Sequence, residues 1–151
     1  MKGYTENKTV ILGDALSVFR LTNDVKKWAD LFSEYKVVDI LEDKGNLIVF
    51  QLTTFDGKSW LSERKIDEQK MLATARRIRP MFPFTEMYIT WKYEKLPNNI
   101  GVIMTWIQEF DVDPKCGHEV YDMESYINRS TRKQMKSVKN KVECLLNEKN
   151  K

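Results

Sequence analysis

The feature that most constrains this chain is a change of hydrophobic period near its three-quarter point. From Tyr35 to Val112 the sequence is a succession of short runs alternating with period two. From Val120 onward the apolar positions recur every three or four residues for roughly seven turns of helix. Strands are expected at Tyr35–Leu41, Asn46–Thr54, Lys58–Ile66, Met71–Ile78, Glu86–Leu96 and Val102–Val112. The segments Glu42-Asp43-Lys44-Gly45, Asp56-Gly57 and Pro97-Asn98-Asn99-Ile100-Gly101 are turns by composition. Connections this short permit only antiparallel neighbours. Upstream, a polar start leads into a short strand at Thr9–Leu12, punctuated by Gly13-Asp14. Helical spacing then appears at Ala15–Leu21 and Val25–Phe32, separated by Thr22-Asn23-Asp24, which offers N-cap chemistry.

These elements make an α+β fold: a curved antiparallel sheet of about seven strands wrapped around a long C-terminal helix, with two short helices after strand 1. The helix, Val120–Leu146, should face the sheet with Met123, Ile127, Val138, Val142 and Leu145, with Tyr126 and Met135 beside them. The 151 residues contain no repeat, linker or long loop, so residues 1–151 are read as one domain, ordered from about residue 8 to about residue 147. Because the short helices close one end, a cavity can persist between sheet and long helix.

Composition removes several kinds of chemistry. One histidine, His118, and two cysteines, Cys116 and Cys144, cannot furnish a Cys/His zinc site or a histidine-activated nucleophile elsewhere in the chain. His118 follows a Cys-Gly turn and is expected at the surface. Lys+Arg 25 against Asp+Glu 22 are intermixed, apart from Arg129, Arg132, Lys133, Lys136, Lys139 and Lys141, read as the wet face of the helix. There is no nucleic-acid motif, no apolar run of about 18 residues and no signal-peptide core in Met1–Lys8. A cytoplasmic protein is expected, monomeric or homodimeric, with no nucleic-acid partner and no stable membrane insertion.

The run Lys58–Ile66 holds the first candidate site. Period two places Trp60, Ser62, Arg64 and Ile66 on one face of a strand. If that face is internal, an unpaired Arg64 guanidinium is costly to bury. It then meets an acidic residue of the long helix, lies on a partly exposed edge, or is offered to a ligand oxygen of carboxylate, phosphate or enolate type. Trp28, Trp60, Trp91 and Trp106, with Phe32, Phe55, Phe82 and Phe84, supply either ordinary core or the walls of a pocket. Of Arg76, Arg77 and Arg79, ahead of Pro80, most should face solvent and one could line a pocket mouth.

The ordered segments Asn23-Asp24-Val25-Lys26-Lys27-Trp28 with Leu31-Phe32 and Tyr35, Ser59-Trp60-Leu61-Ser62-Glu63-Arg64 with Asp67, Arg79-Pro80, Met87-Tyr88-Ile89-Thr90-Trp91 and Glu109-Phe110 cover nearly the whole chain. The pattern resembles the polyketide cyclase/dehydrase (aromatase/cyclase) branch of the START-like superfamily, also called SRPBCC or helix-grip. The resemblance implies a deep pocket that takes a poly-β-ketone chain from an acyl carrier protein and promotes regiospecific aldol closure and dehydration to an aromatic ring, without a cofactor. It also implies roles: Arg64, Ser62 and Tyr35 as catalytic residues, and Trp28, Trp60, Met87 and Trp91 as substrate-binding walls. Some relatives carry a histidine where this chain has Gln108, so proton transfer here falls to water, Tyr35 or substrate oxygens. The same fold also serves as a non-catalytic carrier of hydrophobic small molecules such as lipids or quinones.

Overall fold

The computed structural model describes residues 2–79 and 81–149; Pro80, expected to close the cationic strand, lies outside them. Seven strands, β1 (Lys2–Leu12), β2 (Tyr35–Asp43), β3 (Leu47–Thr54), β4 (Ser59–Asp67), β5 (Leu72–Arg79), β6 (Phe84–Lys95) and β7 (Gly101–Val112), form one antiparallel sheet in the order β1-β7-β6-β5-β4-β3-β2. β1 and β2 therefore occupy opposite edges, and the chain between them must cross the end of the sheet. Helix α1 (Ala15–Thr22), a 3₁₀ turn at Val25–Lys27 and helix α2 (Trp28–Leu31) make that crossing, burying Val18, Phe19, Val25, Trp28 and Leu31. Register shifts in the β2–β3, β4–β5 and β6–β7 pairs bend the sheet. The 30-residue helix α3 (Val120–Lys149) lies in the resulting trough. No helix among the described residues is long and apolar enough to cross a membrane.

Two stretches differ from the sequence reading. β1 begins at Lys2 rather than Thr9, because its inward positions are Gly3, Thr5 and Asn7, buried but not apolar, so period two is invisible in hydropathy. Asn7 finds its partners on α3: its Nδ2 donates to Asn128 Oδ1 at 2.8 Å, and Arg132 Nε donates to its Oδ1 at 2.9 Å. In α3 the buried residue of the last turns is Leu146; Leu145 is exposed, as is Tyr126. Thus α3 turns Met123, Ile127, Thr131, Gln134, Met135, Val138, Val142 and Leu146 inward, and two polar residues sit in the middle of that stripe.

Those polar residues mark a gap in the core. One apolar cluster joins α1, α2 and the sheet to the C-terminal half of α3 through Met135, Val138 and Val142. A smaller one holds Met87, Phe110, Val112, Met123 and Ile127. Between them the sheet opens: β5 and β6 pair only from Leu72↔Lys92 to Arg76↔Tyr88. Beyond Arg76 the two strands are no longer paired with each other, and residues 81–84 span the space between them.

Candidate active site

The gap between the two clusters is a cavity of about 770 Å³. Its walls come from α2, the inner faces of β3 to β7 and the N-terminal half of α3. Its rim carries Phe55, Asp56, Lys58, Phe82, His118 and Tyr126. Phe55 and Phe82 are 70% and 62% exposed, so these two rings border the opening and take no part in an interior wall. His118 is exposed, as expected.

The inner face of β4 runs as its alternation predicts. Ser62 and Arg64 are buried, Trp60 is half-buried, and all three line the cavity. Arg64 is 1% exposed, and among the described residues no carboxylate pairs with it. Its Nε and Nη2 donate to one neutral acceptor, Asn23 Oδ1, at 3.0 and 2.8 Å. The guanidinium carbon lies 4.0 Å from the ring centroid of Trp91 and 5.0 Å from that of Trp28, within cation–π range of both. Burial pulls its pKa down to about 10, so it remains a cation at neutral pH. Of the alternatives open at the sequence level, neither the acidic helix partner nor the exposed edge is realised.

The Asn23 side chain caps no helix N-terminus. Asn23 is the C-cap residue of α1, while Asp14 caps the N-terminus of α1 with a carboxylate that accepts from Ser17 N at 3.0 Å; among the described residues Asp24 makes no side-chain cap hydrogen bond to the 3₁₀ turn that follows it. Asn23 Nδ2 donates to Phe19 O at 2.9 Å and to Tyr93 Oη at 3.2 Å, and Tyr93 Oη is 2.6 Å from Thr22 Oγ1. Burial pushes the Tyr93 phenol up to about 12 and moves the Tyr35 phenol well above its usual value, so both stay neutral beside Arg64.

A second polar group stands toward the mouth. Tyr35 begins β2, and its ring lies 6.2 Å from those of both Trp28 and Trp60. Beside it the Glu34 carboxyl lines the cavity; burial raises its pKa, and the Tyr35 hydroxyl and Arg77 charge offset that rise only in part. Arg77, directly across from Ser62 in the β4–β5 register, packs its guanidinium 4.2 Å from the Trp60 ring centroid and 5.8 Å from that of Phe84. Its Nε is buried without a hydrogen-bond partner among the described residues, and burial lowers its pKa. Arg77 is the one arginine of its cluster that lines the cavity; Arg76 and Arg79 are exposed. Gln108 is buried and donates through Nε2 to Thr131 Oγ1 at 2.7 Å.

The seven residues to which the resemblance assigns roles, Arg64, Ser62, Tyr35, Trp28, Trp60, Met87 and Trp91, all lie on the wall of this one cavity, whereas Phe32 belongs to the core. Trp28, Trp91 and Trp106 stack in a continuous row, with centroids 5.6 and 4.6 Å apart. Asn23 and Glu34 were not anticipated. Asn23 reads locally as capping chemistry, and Glu34, between exposed Ser33 and Tyr35, carries no periodic signal.

Residues 14–139 match the family model described as polyketide cyclase / dehydrase and lipid transport. The chain belongs to that family. Two curated relatives are named "Putative polyketide cyclase". The protein from Streptomyces cyaneus is 36% identical over 148 residues, covering 95% of each chain. The one from Streptomyces halstedii is 42% identical over 112 residues, covering 71% of this chain and all of the relative. Among solved structures, the Zhui aromatase/cyclase of a Streptomyces species aligns over 95% of this chain and 94% of its own, with a TM-score of 0.83 and 18% identity. A START superfamily protein of Mycobacterium smegmatis aligns over 94% and 98%, with a TM-score of 0.79 and 12% identity. These likenesses show that the chain shares its fold, a curved antiparallel sheet around a long C-terminal helix, with the aromatase/cyclase and with the START superfamily protein.

Proposed function

We infer that this member of the polyketide cyclase/dehydrase family is an aromatase/cyclase that folds a poly-β-ketone chain inside the cavity and promotes aldol closure and dehydration to an aromatic ring. The observation that carries the reading is Arg64: a buried cation with no counter-ion among the described residues, set in an aromatic wall. Aldol chemistry develops negative charge on a ketone or enolate oxygen, and a fixed buried cation stabilises such charge far more than it would in water once the bound chain has displaced water from the aromatic wall. Ser62 and Tyr35 supply hydroxyl donors along the same wall. The row of indoles, with Trp60 and Met87, bends the chain so that particular carbons meet. Glu34, whose carboxyl is held closer to neutrality by burial, is the cavity group suited to carry a proton between carbon and oxygen. The half-open mouth suits delivery of the chain by an acyl carrier protein.

The test is product analysis with a minimal polyketide synthase supplying the chain in vitro. Wild-type protein should convert a mixture of spontaneous products into one dominant aromatic. Arg64→Met should lower its rate of formation by about 10²-fold, as expected for loss of an oxyanion-stabilising group. An unchanged product profile with folded Arg64→Met would remove the assignment. The lipid-transport arm of the family description supports a second reading, a non-catalytic carrier. A carrier would release its ligand chemically unchanged and tolerate Ser62→Ala and Tyr35→Phe with small losses of affinity.

A further inference from the structure

We propose that Asn23 is a positioning residue that fixes the Arg64 guanidinium by hydrogen bonds while leaving its charge uncancelled, so that the cavity favours ligands whose oxygen carries or develops negative charge. The inference deepens the reading of the cavity as the reacting site and rests on it. Nε and Nη2 of Arg64 converge on Asn23 Oδ1, the arrangement in which a carboxylate oxygen is commonly found beside an arginine. Here the acceptor is an amide. Its orientation is set by its own partners: Nδ2 faces the Phe19 carbonyl, which can only accept, so a flipped amide would oppose oxygen to oxygen and NH₂ to guanidinium.

The surroundings keep the charge unpaired. The titratable groups whose charge acts on Arg64 are Tyr93 and Tyr35, both neutral phenols, and its flat faces meet two indoles. Among the described residues the guanidinium has no other hydrogen-bond acceptor. Asn23 is in turn locked to the end of α1, its backbone N–H donating to Phe19 O at 3.1 Å. The crossover helix thus holds a cation in the opposite wall of the cavity without neutralising it.

Isosteric Asn23→Asp separates this role from a purely structural one. It retains an acceptor for both guanidinium hydrogen bonds; its second oxygen loses the donation to Phe19 O, and Tyr93 can rotate to donate to it, yet it cancels the charge. Asn23→Ser keeps a neutral acceptor with poorer geometry. The probe is 7-hydroxycoumarin, a bicyclic phenol whose neutral and phenolate forms differ in absorbance, titrated against pH with saturating protein. Glu34, Arg77 and both tyrosines are present in every variant and contribute equally to the comparison.

Wild-type protein should raise the ionisation constant of the bound phenol about tenfold or more, the usual effect of a nearby opposite charge. Arg64→Met and Asn23→Asp should each remove most of that increase, and Asn23→Ser should keep at least half of it. Circular dichroism and thermal melting establish that each variant is folded. A folded Asn23→Asp protein with the wild-type increase overturns the proposal, as does a wild-type protein that leaves the phenol unchanged. If Asn23→Asp does not fold, loss of the entire increase in folded Asn23→Ser overturns it. The probe does not depend on turnover, so failure of the cyclisation assay with the probe response intact removes the reaction assigned above and leaves the role of Asn23 standing.

Discussion

At the scale of single residues, the cavity is organised by groups whose charge is opposed by burial. Glu34 allows that opposition to be measured. Its carboxyl has a higher pKa in the folded protein than in the unfolded chain, chiefly through desolvation. The folded state therefore holds the extra proton in the window between the two values, and stability falls as pH rises through that window. An amide at this position never ionises, so Glu34→Gln should match wild type near the pKa of an unfolded glutamate and be the more stable of the two at neutral pH. Urea denaturation at the two pH values checks this, and equal midpoints at neutral pH would refute it. If Glu34 also carries the proton of the aldol step, the same variant loses activity as it gains stability. The site residues were unevenly legible for a related reason. Trp60, Ser62 and Arg64 share a face by period two, which a sequence displays directly. Asn23 acts across 41 residues, and nothing local distinguishes an amide that reaches an arginine from one that caps a helix.

At the scale of elements, the two edges of the sheet are managed differently. β1 would present free backbone groups, but α3 covers them: Glu124 accepts from Tyr4 N at 2.8 Å, Glu143 from Leu12 N at 2.9 Å, and Lys139 Nζ donates to Val10 O at 2.6 Å. Lys139 of the basic stretch thus belongs to the fold, whereas Arg129, Lys133 and Lys136 remain outside the buried stripe. The β1–β7 seam also depends on close backbone approach at Gly101, where an added Cβ would lie 2.6 Å from Ile11 O and 3.1 Å from Leu12 Cα. At Gly3 the obstacle is the Phe110 ring, buried in the smaller cluster and 2.2 Å from an added Cβ. Gly101→Ala and Gly3→Ala should therefore each cost about 1–3 kcal/mol, in the range for overpacking. Chemical denaturation of both variants checks this, and a wild-type midpoint in either would refute it for that position. The strand and helix succession was legible because its apolar residues repeat with the period of each element. The first half of β1 was not, since its buried positions are not apolar and the partners of Asn7 are more than 100 residues away.

At the scale of the whole molecule, the cavity limits what the fold can be optimised for. At about 24 cal/mol per Å³, a dry void of 770 Å³ would cost on the order of 18 kcal/mol, more than the stability of an ordinary domain. The space must be tolerable to water, and its walls agree: Ser62, Thr54, Gln108, Gln134, Glu34 and Arg77 interrupt the aromatic surface, and the cavity opens at the exposed rim formed by Phe55, Lys58, Phe82 and Tyr126. Filling the space should then favour the fold at the expense of the guest. Ala75 lines the cavity directly across the β4–β5 ladder from Arg64 and is buried. Ala75→Leu adds three carbons there, worth up to about 2 kcal/mol if they pack without strain. The variant should be as stable as wild type or more so by up to that amount, while binding 7-hydroxycoumarin at least tenfold more weakly. Denaturation and fluorescence titration of the same preparation measure both quantities. Unchanged affinity would mean that the guest lies elsewhere, and a loss of stability with weakened binding would mean that the wall beside Arg64 is already closely packed. The expected result, a tighter fold with a poorer site, follows from a sheet bent around a helix with polar residues in the middle of its buried stripe.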